Sequence, residues 1–233
     1  MEEVIRGNGG TILTNNAVKE VTTTEAGIRV KCVTGDLDFD HVICTSPVNV
    51  LEKIVPESLL SVNAAQSDQG VEYLGVVCVV LVTKKPITRY YVVNIADETI
   101  PFTGVIGMSS VVDTENTGGK NLTYLPRYLL STDEEINKPD DYFRETFTDG
   151  IKRMFPEFDE SDIISVHVNR AIKVQPLQVL GYSGLVPGVQ TRDPRLHVLN
   201  TSQFVNATLN NNEVVAAVNR FYTDFKNSVN ANA

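Results

Sequence analysis

No Gly-x-Gly-x-x-Gly sequence occurs anywhere in the 233 residues. The chain therefore lacks the loop that usually holds a pyrophosphate in α/β nucleotide folds. Long apolar runs are absent too. The longest, Leu74 to Val82, falls far short of the about 20 residues that cross a bilayer and suits a buried strand. The start, Met1-Glu2-Glu3-Val4, has neither the basic region nor the apolar stretch of a signal peptide. Positive charge is scarce: 20 Lys and Arg stand against 29 Asp and Glu, a net charge of −9. That excludes nucleic acid and anionic membranes as bulk partners, because both need clustered Lys and Arg. The three cysteines, Cys32, Cys44 and Cys78, lie in strand-like apolar runs. Their spacing forms neither metal pairs nor a disulfide framework, so they read as buried free thiols. His41, His167 and His197 belong to no motif. With no Ser-His-Asp order, metal spacing or P-loop in view, no catalytic side chain is assigned and no metal is expected.

What is present is ordinary for a water-exposed globular chain: 42% hydrophobic and 21% charged residues, long enough for one large core or two unequal domains. Three sequons, at Asn121, Asn200 and Asn206, read as chance without a secretory signal, and a cytoplasmic location is expected. The most informative stretch is Asp40-His41-Val42-Ile43-Cys44-Thr45-Ser46-Pro47. It reads as a short strand ending at a helix start, with Ser46 as N-cap, Pro47 at the first helical position and the helix continuing from Val48 to Val55. Strand-to-helix junctions of this kind receive phosphates and dinucleotides, and they also occur as plain helix caps.

The pattern predicts short strands around Gly9–Leu13, at Val18–Thr23, at Ile28–Cys32 and at Leu37–Phe39, forming a small antiparallel meander, after which 41–45 returns to a main sheet. Residues 71–82 read as a strand buried on both faces. Tyr90–Ile95, Thr103–Ser110, Leu122–Tyr128 and Ile163–Ile172 read as further strands. Asp140–Phe155 has helical spacing, stopped by Pro156. Leu196–Leu199 reads as a last strand. Asn211–Phe225 reads as an amphipathic helix presenting Val214, Val215, Val218, Phe221 and Phe225 on one side. Nucleotide-fold features at the two ends and an antiparallel sheet between them suggest a cofactor domain interrupted by a substrate domain.

Three patches then fall into one order. The first holds Gly9-Gly10-Thr11-Ile12, Val18-Lys19-Glu20-Val21 and Asp40 to Pro47. The second holds Pro101 to Ile106, Leu122 to Tyr128 and Met154-Phe155-Pro156. The third holds Arg170-Ala171, Gln175-Pro176 and Leu199 to Phe204 with the terminal helix. In this the chain resembles the later two-thirds of an FAD-dependent oxidoreductase of the amine oxidase and protoporphyrinogen oxidase superfamily. The resemblance implies an α+β fold: an α/β remnant of an FAD-binding domain at 1–60 and 190–233, and an inserted substrate domain at 61–189 with a mostly antiparallel mixed sheet and helices. It implies that the Gly-x-Gly-x-x-Gly strand lies before these residues, and that the chain is a later portion or a truncated gene product which does not retain FAD alone. The implied function is the substrate-binding portion of an oxidoreductase that passes hydride from an organic substrate to flavin. A flavin-dependent sugar mutase and a non-catalytic fragment are the alternatives.

By position in the family, Val18 would lie against the adenine and Thr45, Ser46 and Pro47 beside the adenosine end. Asn200, Thr201, Gln203, Asn210, Asn211 and Asn212 would lie near the ribityl chain, pyrophosphate and flavin ring. Each also has a bland reading, as a meander residue, a helix cap or a polar loop. Asn210 to Asn212 stand where the family often has glycine, and asparagine tolerates left-handed backbone better than most residues. Aligning the long strand puts Val77 where many amine oxidases carry a lysine near the flavin, which argues against amine oxidation. Arg127 and Arg170 read as ion-pair partners or as contacts to a substrate carboxylate. The expected partners are a small-molecule substrate and, through apolar surface left by an incomplete layer, a second copy of the chain.

Overall fold

A computed structural model describes residues 1–60, 72–186, 188–205 and 210–231. The expected boundary after residue 60, the start of the strand expected at 71, and the Asn206 sequon fall on or beside residues outside that set. The fold is α+β. The described residues of Met1–Val71 and Gln178–Ala233 make one compact unit, and those of Glu72–Leu177 make a second.

The first unit opens with a short helix, α1 (Glu2–Gly7), which buries no residue. A strand at Gly9–Leu13 is not formed. Gly9 takes a φ of +82° and the amide of Gly10 turns back onto the Ile5 carbonyl at 2.9 Å, so the segment closes a helix end instead of entering a ladder. The meander follows as β1 (Val18–Thr23), β2 (Ile28–Cys32) and β3 (Gly35–Phe39), antiparallel in that order. The β1–β2 turn admits only glycine at Gly27, where a Cβ would stand 2.3 Å from the Phe39 carbonyl oxygen. Arg29 forks onto Asp38 at 2.8 and 2.9 Å across the exposed face, a contact of register more than of stability.

β4 (Val42–Cys44) leads into α2 (Val48–Ile54). Ser46 is not the N-cap. Pro47 occupies that position with an extended ψ of 153°, and no side chain caps the helix. An extended Ser46 would suit an N-cap before a helical proline, but Pro47 itself takes an extended ψ, so Val48 is the first helical residue. β10 (Leu196–Val198) pairs with β4 in parallel, His197 opposite Ile43. Leu51, Val55, Leu60, Leu196, Val198, Val21, Ile28 and Cys44 close the core between this pair, α2 and the meander. The terminal helix, counted below as α4, covers Asn211–Ala231.

The second unit is a five-stranded antiparallel sheet in the order β6-β7-β8-β5-β9. The strands are β5 (Tyr73–Thr83), β6 (Val92–Asn94), β7 (Gly104–Gly107), β8 (Asn121–Leu130) and β9 (Ile163–Pro176). β5 is not buried on both faces. Burial alternates strictly along it: Val77, Val79 and Leu81 are fully buried, while Leu74, Val76, Cys78, Val80 and Val82 are half-buried. One helix explains the difference. α3 (Asp140–Met154) lays Phe143, Phe147 and Ile151 on the Val77 face, where Phe102 joins them. Asp140 and Asp141 in its first turn and Lys152 and Arg153 in its last complement the helix dipole. Pro156 lies just past its C-cap, Phe155. At the bulge against β9, a Cβ on Gly75 would stand 2.7 Å from Ile136 Cδ1 and 2.9 Å from the Ile172 oxygen.

Arg127 and Arg170 are the ladder partners of Val77 on its two sides, so both lean toward the helix-covered face. Arg127 donates to the Pro101 carbonyl at 3.0 Å and to Glu135 at 2.7 Å. Arg170 donates to Asp140 at 2.6 Å and to the Ile136 and Lys138 carbonyls at 2.9 and 2.7 Å. Both guanidinium groups hold the turn before α3.

Candidate functional site

Because β4 and β10 run parallel, their carboxyl ends leave the sheet at one edge, where α/β layers gather ligands. The Leu199 amide donates to the Cys44 carbonyl at 2.9 Å and extends the pairing to that edge. Beyond it lie Thr45-Ser46-Pro47 on one side and a single turn of 3-10 helix, Thr201–Gln203, on the other. Asn200 joins the two. Its amide nitrogen donates to the Ser46 carbonyl at 3.1 Å, and its oxygen accepts from the Ser202 amide at 3.0 Å and the Ser202 hydroxyl at 2.5 Å. Gln203 completes a capping box: its oxygen accepts from the Asn200 amide at 3.0 Å and its nitrogen donates to the Val198 carbonyl at 3.1 Å.

A cleft of about 210 Å³ opens at this edge, lined by Thr45, Pro47, Leu199, Asn200, Thr201 and Phe204 and by Val214, Ala217 and Val218 of α4. It gathers Thr45, Pro47, Asn200 and Thr201 in one place, with Ser46 tied to it through its carbonyl. Val18 is elsewhere, at the start of β1 and 39% exposed. Asn210 caps α4, its side-chain oxygen accepting from the Glu213 amide at 3.0 Å. Asn211 and Asn212 are exposed in the first turn.

On its other side α4 covers a feature that no motif marked. His41, one residue before β4, and His197, in the middle of β10, stack with ring centroids 6.0 Å apart and planes 24° from parallel. Phe225 meets both rings edge-on at 5.3 Å, and Phe221 meets His197 at 5.5 Å. Of the apolar helix face read from the sequence, Phe221 and Phe225 pack here, while Val214 and Val218 border the smaller cleft and stay 38% and 46% exposed. His197 also lines a second cavity, of about 450 Å³, with Gln190, Gln203, Arg220 and Asp224. Burial first, then the neighbouring His41, holds the His197 imidazole below its ordinary pKa. Only the parallel register brings the two histidines together, and their separation of 156 positions in the chain gives no hint of it.

In the second unit the half-buried face of the sheet carries Val76, Cys78, Val80 and Val82 on β5, laddered to Tyr128, Pro126, Tyr124 and Leu122 on β8. Ile106 of β7 sits beside Tyr124, and His167 of β9 sits beside Val80. Burial pushes the Cys78 thiol pKa up, so it behaves as an apolar group. Val77 is fully buried, as expected, and for that reason cannot face a ligand on this side. The half-buried face instead carries Val76, Cys78, Val80 and Val82, and none is lysine. Among the described residues no cluster of three or more His, Cys, Asp or Glu could hold a metal ion, and no helix is long and apolar enough to cross a membrane.

The cleft at the β4–β10 edge fits one end of a flat, partly apolar cofactor. Its walls are valine, alanine, leucine, proline and phenylalanine with two threonines and Asn200, and its volume of about 210 Å³ is too small for a whole dinucleotide. The amide groups of Asn200 and Gln203 already bond to their own backbone. Grip on a cofactor would therefore come from apolar contact and backbone groups, and no glycine-rich cradle for a pyrophosphate is present among the described residues.

A family model described as flavin containing amine oxidoreductase matches residues 1–199. No curated protein matches the chain. Several solved structures do share its fold. An oxidoreductase from Methanosarcina mazei superposes with a TM-score of 0.67 at 20% identity, covering 86% of this chain and 47% of that one. A putrescine oxidase redesigned in its cofactor binding superposes at 0.63 and 13% identity, covering 87% and 46%. A reduced UDP-galactopyranose mutase superposes at 0.61 and 12%, covering 77% and 38%. The chain thus spans less than half the length of each.

Proposed function

The chain belongs to the family of flavin containing amine oxidoreductases, and from that premise we propose that it supplies the substrate-binding portion, and one edge of the cofactor site, of an FAD-dependent oxidoreductase acting on a small organic molecule. On this reading the unit holding β4 and β10 is part of an FAD domain, and the five-stranded sheet is the substrate domain. The observation that carries the reading is the parallel β4–β10 pair, which delivers Thr45, Pro47, Asn200 and Thr201 to one cleft beside the first turns of α4. FAD, when bound, supplies the acceptor for a hydride. This chain's part is to seat one end of the cofactor against Pro47, Phe204 and Val218, to keep that edge rigid through the Asn200 clamp, and to offer the apolar face of Val76, Val80, Tyr124 and Tyr128 to substrate. Ser46, Gln203 and the Asn210–Asn212 turn belong to the same proposal through their backbone groups, and Val18, away from this cleft, would meet the cofactor at a separate point.

A second reading, a flavin-dependent sugar mutase, is favoured by one observation: no lysine stands at Val76, Cys78 or Val80 on the face offered to substrate. Exposed Ile43 on β4 and exposed Val214, Val215 and Val218 on α4 also favour self-association, which sedimentation at graded concentrations measures. The functional test uses the protein that carries this chain, titrated without oxygen by candidate amines and by UDP-galactopyranose while its visible flavin band is followed. Stoichiometric bleaching by a candidate amine supports the oxidoreductase. Isomerisation of the sugar nucleotide with no net bleaching replaces it with the mutase. A protein carrying no flavin at all removes both and leaves a non-catalytic fragment.

A further inference from the structure

The imidazole of His197, stacked on that of His41, sits beneath α4 in a setting that disfavours its charged form. His197 is 3% exposed. Neither of its ring nitrogens, nor Nδ1 of His41, has a hydrogen-bond partner among the described residues. What covers the pair is the ring edges and faces of Phe221 and Phe225, and these cannot compensate a desolvated proton as a carboxylate would. Charged neighbours come from every element around it. Asp40 precedes His41 in the chain. Asp193 and Arg195, before β10, bind each other at 2.9 and 3.0 Å. Arg220 and Asp224 of α4 line the cavity that His197 borders. Asp193 is already committed to Arg195, and the favourable charge of Asp224 is opposed by Arg220 one turn earlier on the same helix. Among the described residues no carboxylate is hydrogen-bonded to His197, and the charge of Asp193 reaches His41 rather than His197.

We propose that His197, stacked on His41, is an acid-sensitive latch on α4: uncharged, it is the pad on which Phe221 and Phe225 dock, and on taking a proton it releases the helix. Release would also open the cleft that Val214 and Val218 of the same helix border. The latch does not rest on the flavin reading, since it concerns the docking of α4 whatever the cleft holds.

The direction of the effect follows from the burial. His197 titrates below its ordinary 6.5 when docked, so the docked state binds fewer protons than the released one. Docking is at full strength above that value. It weakens as pH falls below it, by up to about tenfold in the docking equilibrium per pH unit for one proton.

Hydrogen exchange of the whole chain between about pH 8 and about pH 5, referred to the intrinsic rate at each pH, tests this. Protection in α4 is expected to fall by up to about tenfold per pH unit below the threshold, while β5 and β8 keep theirs. His197→Phe, or His197→Leu if the larger ring does not fit, should make the α4 profile flat. A flat profile in the unaltered chain overturns the latch, as does acid release that persists in a folded His197 variant. If both variants fail to fold, the ring resonances of His197 in the unaltered chain decide: titration at or above 6.5 while α4 is protected overturns it, and titration below supports it.

Discussion

The side-chain nitrogen of Asn200 donates to the backbone carbonyl of Ser46 across 3.1 Å, joining the exit of β10 to the exit of β4 over 154 positions of chain. Both ends of the amide are used, because its oxygen takes two bonds from Ser202. Asn200→Ala removes all three and leaves buried groups without partners. The expected cost is about 1–3 kcal/mol, read as a lower urea midpoint at unchanged slope. An unchanged midpoint would show that the edge is held some other way.

This clamp shows where the sequence was readable and where it was not. The spacing of Phe143, Phe147 and Ile151 with Pro156 behind them announces α3 almost to the residue, since periodicity and a stop signal are local. The alternation of Ile28, Val30 and the charges between them announces β2 in the same way. The strand pair at the two ends was also legible, as short apolar runs beside helix starts. What Asn200 does there was not, because a hydrogen bond to Ser46 depends on a parallel register that no local pattern encodes. The histidine pair was hidden for the same reason. The long strand misled because its two faces are equally apolar in sequence, and only the placement of α3 decides which one is sealed.

The two faces of β5 should respond differently to the same insult. Val77→Asp puts an unpaired carboxylate under α3 and should cost several kcal/mol, on the order of 3–5. Val80→Asp, on the half-buried face beside Tyr124 and His167, should cost less than half as much. Thermal melting compares them directly, and equal losses would mean that both faces are sealed.

Arg170 tests a structural role against a ligand-binding one. Its fork reaches Asp140 and two backbone carbonyls at once, a geometry that a lysine ammonium cannot copy. Arg170→Lys should lower stability by about 1–2 kcal/mol through the lost carbonyl contacts. Calorimetry that finds the lysine variant as stable as its parent would return Arg170 to the pool of candidate ligand contacts.

Asp193 gives the first unit part of its acid sensitivity. The hydrogen bonds from Arg195 hold its carboxyl below the ordinary 3.8, so the folded state keeps it ionised where the unfolded chain would take a proton. Its contribution is complete above 3.8 and disappears as pH falls through the lower folded-state value. Asp193→Asn should therefore shrink the loss of stability on acidification below that point. It should not remove that loss, because Asp38, Asp97 and Asp159 are held low as well. Denaturation midpoints across the acid range that fall in parallel for variant and parent would count against it.

Purified alone, the 233-residue chain should be colourless. A dinucleotide cofactor is held chiefly where backbone amides converge on its pyrophosphate, and the sequence has no Gly-x-Gly-x-x-Gly to form such a site. The cleft at the β4–β10 edge offers about 210 Å³ of mostly apolar wall, enough for one end of FAD. The neighbouring amide at the start of α4 is already capped by Asn210. Apolar contact with one end leaves the phosphates in water and the rest of the cofactor unheld, so any FAD added to the chain should separate from it on gel filtration. The measurement is the visible flavin band of the fresh protein and of the filtered mixture. A stoichiometric yellow band in either would mean that these residues hold FAD without the glycine loop, and the division of labour proposed for the two units would have to be redrawn around the cavity beside His197.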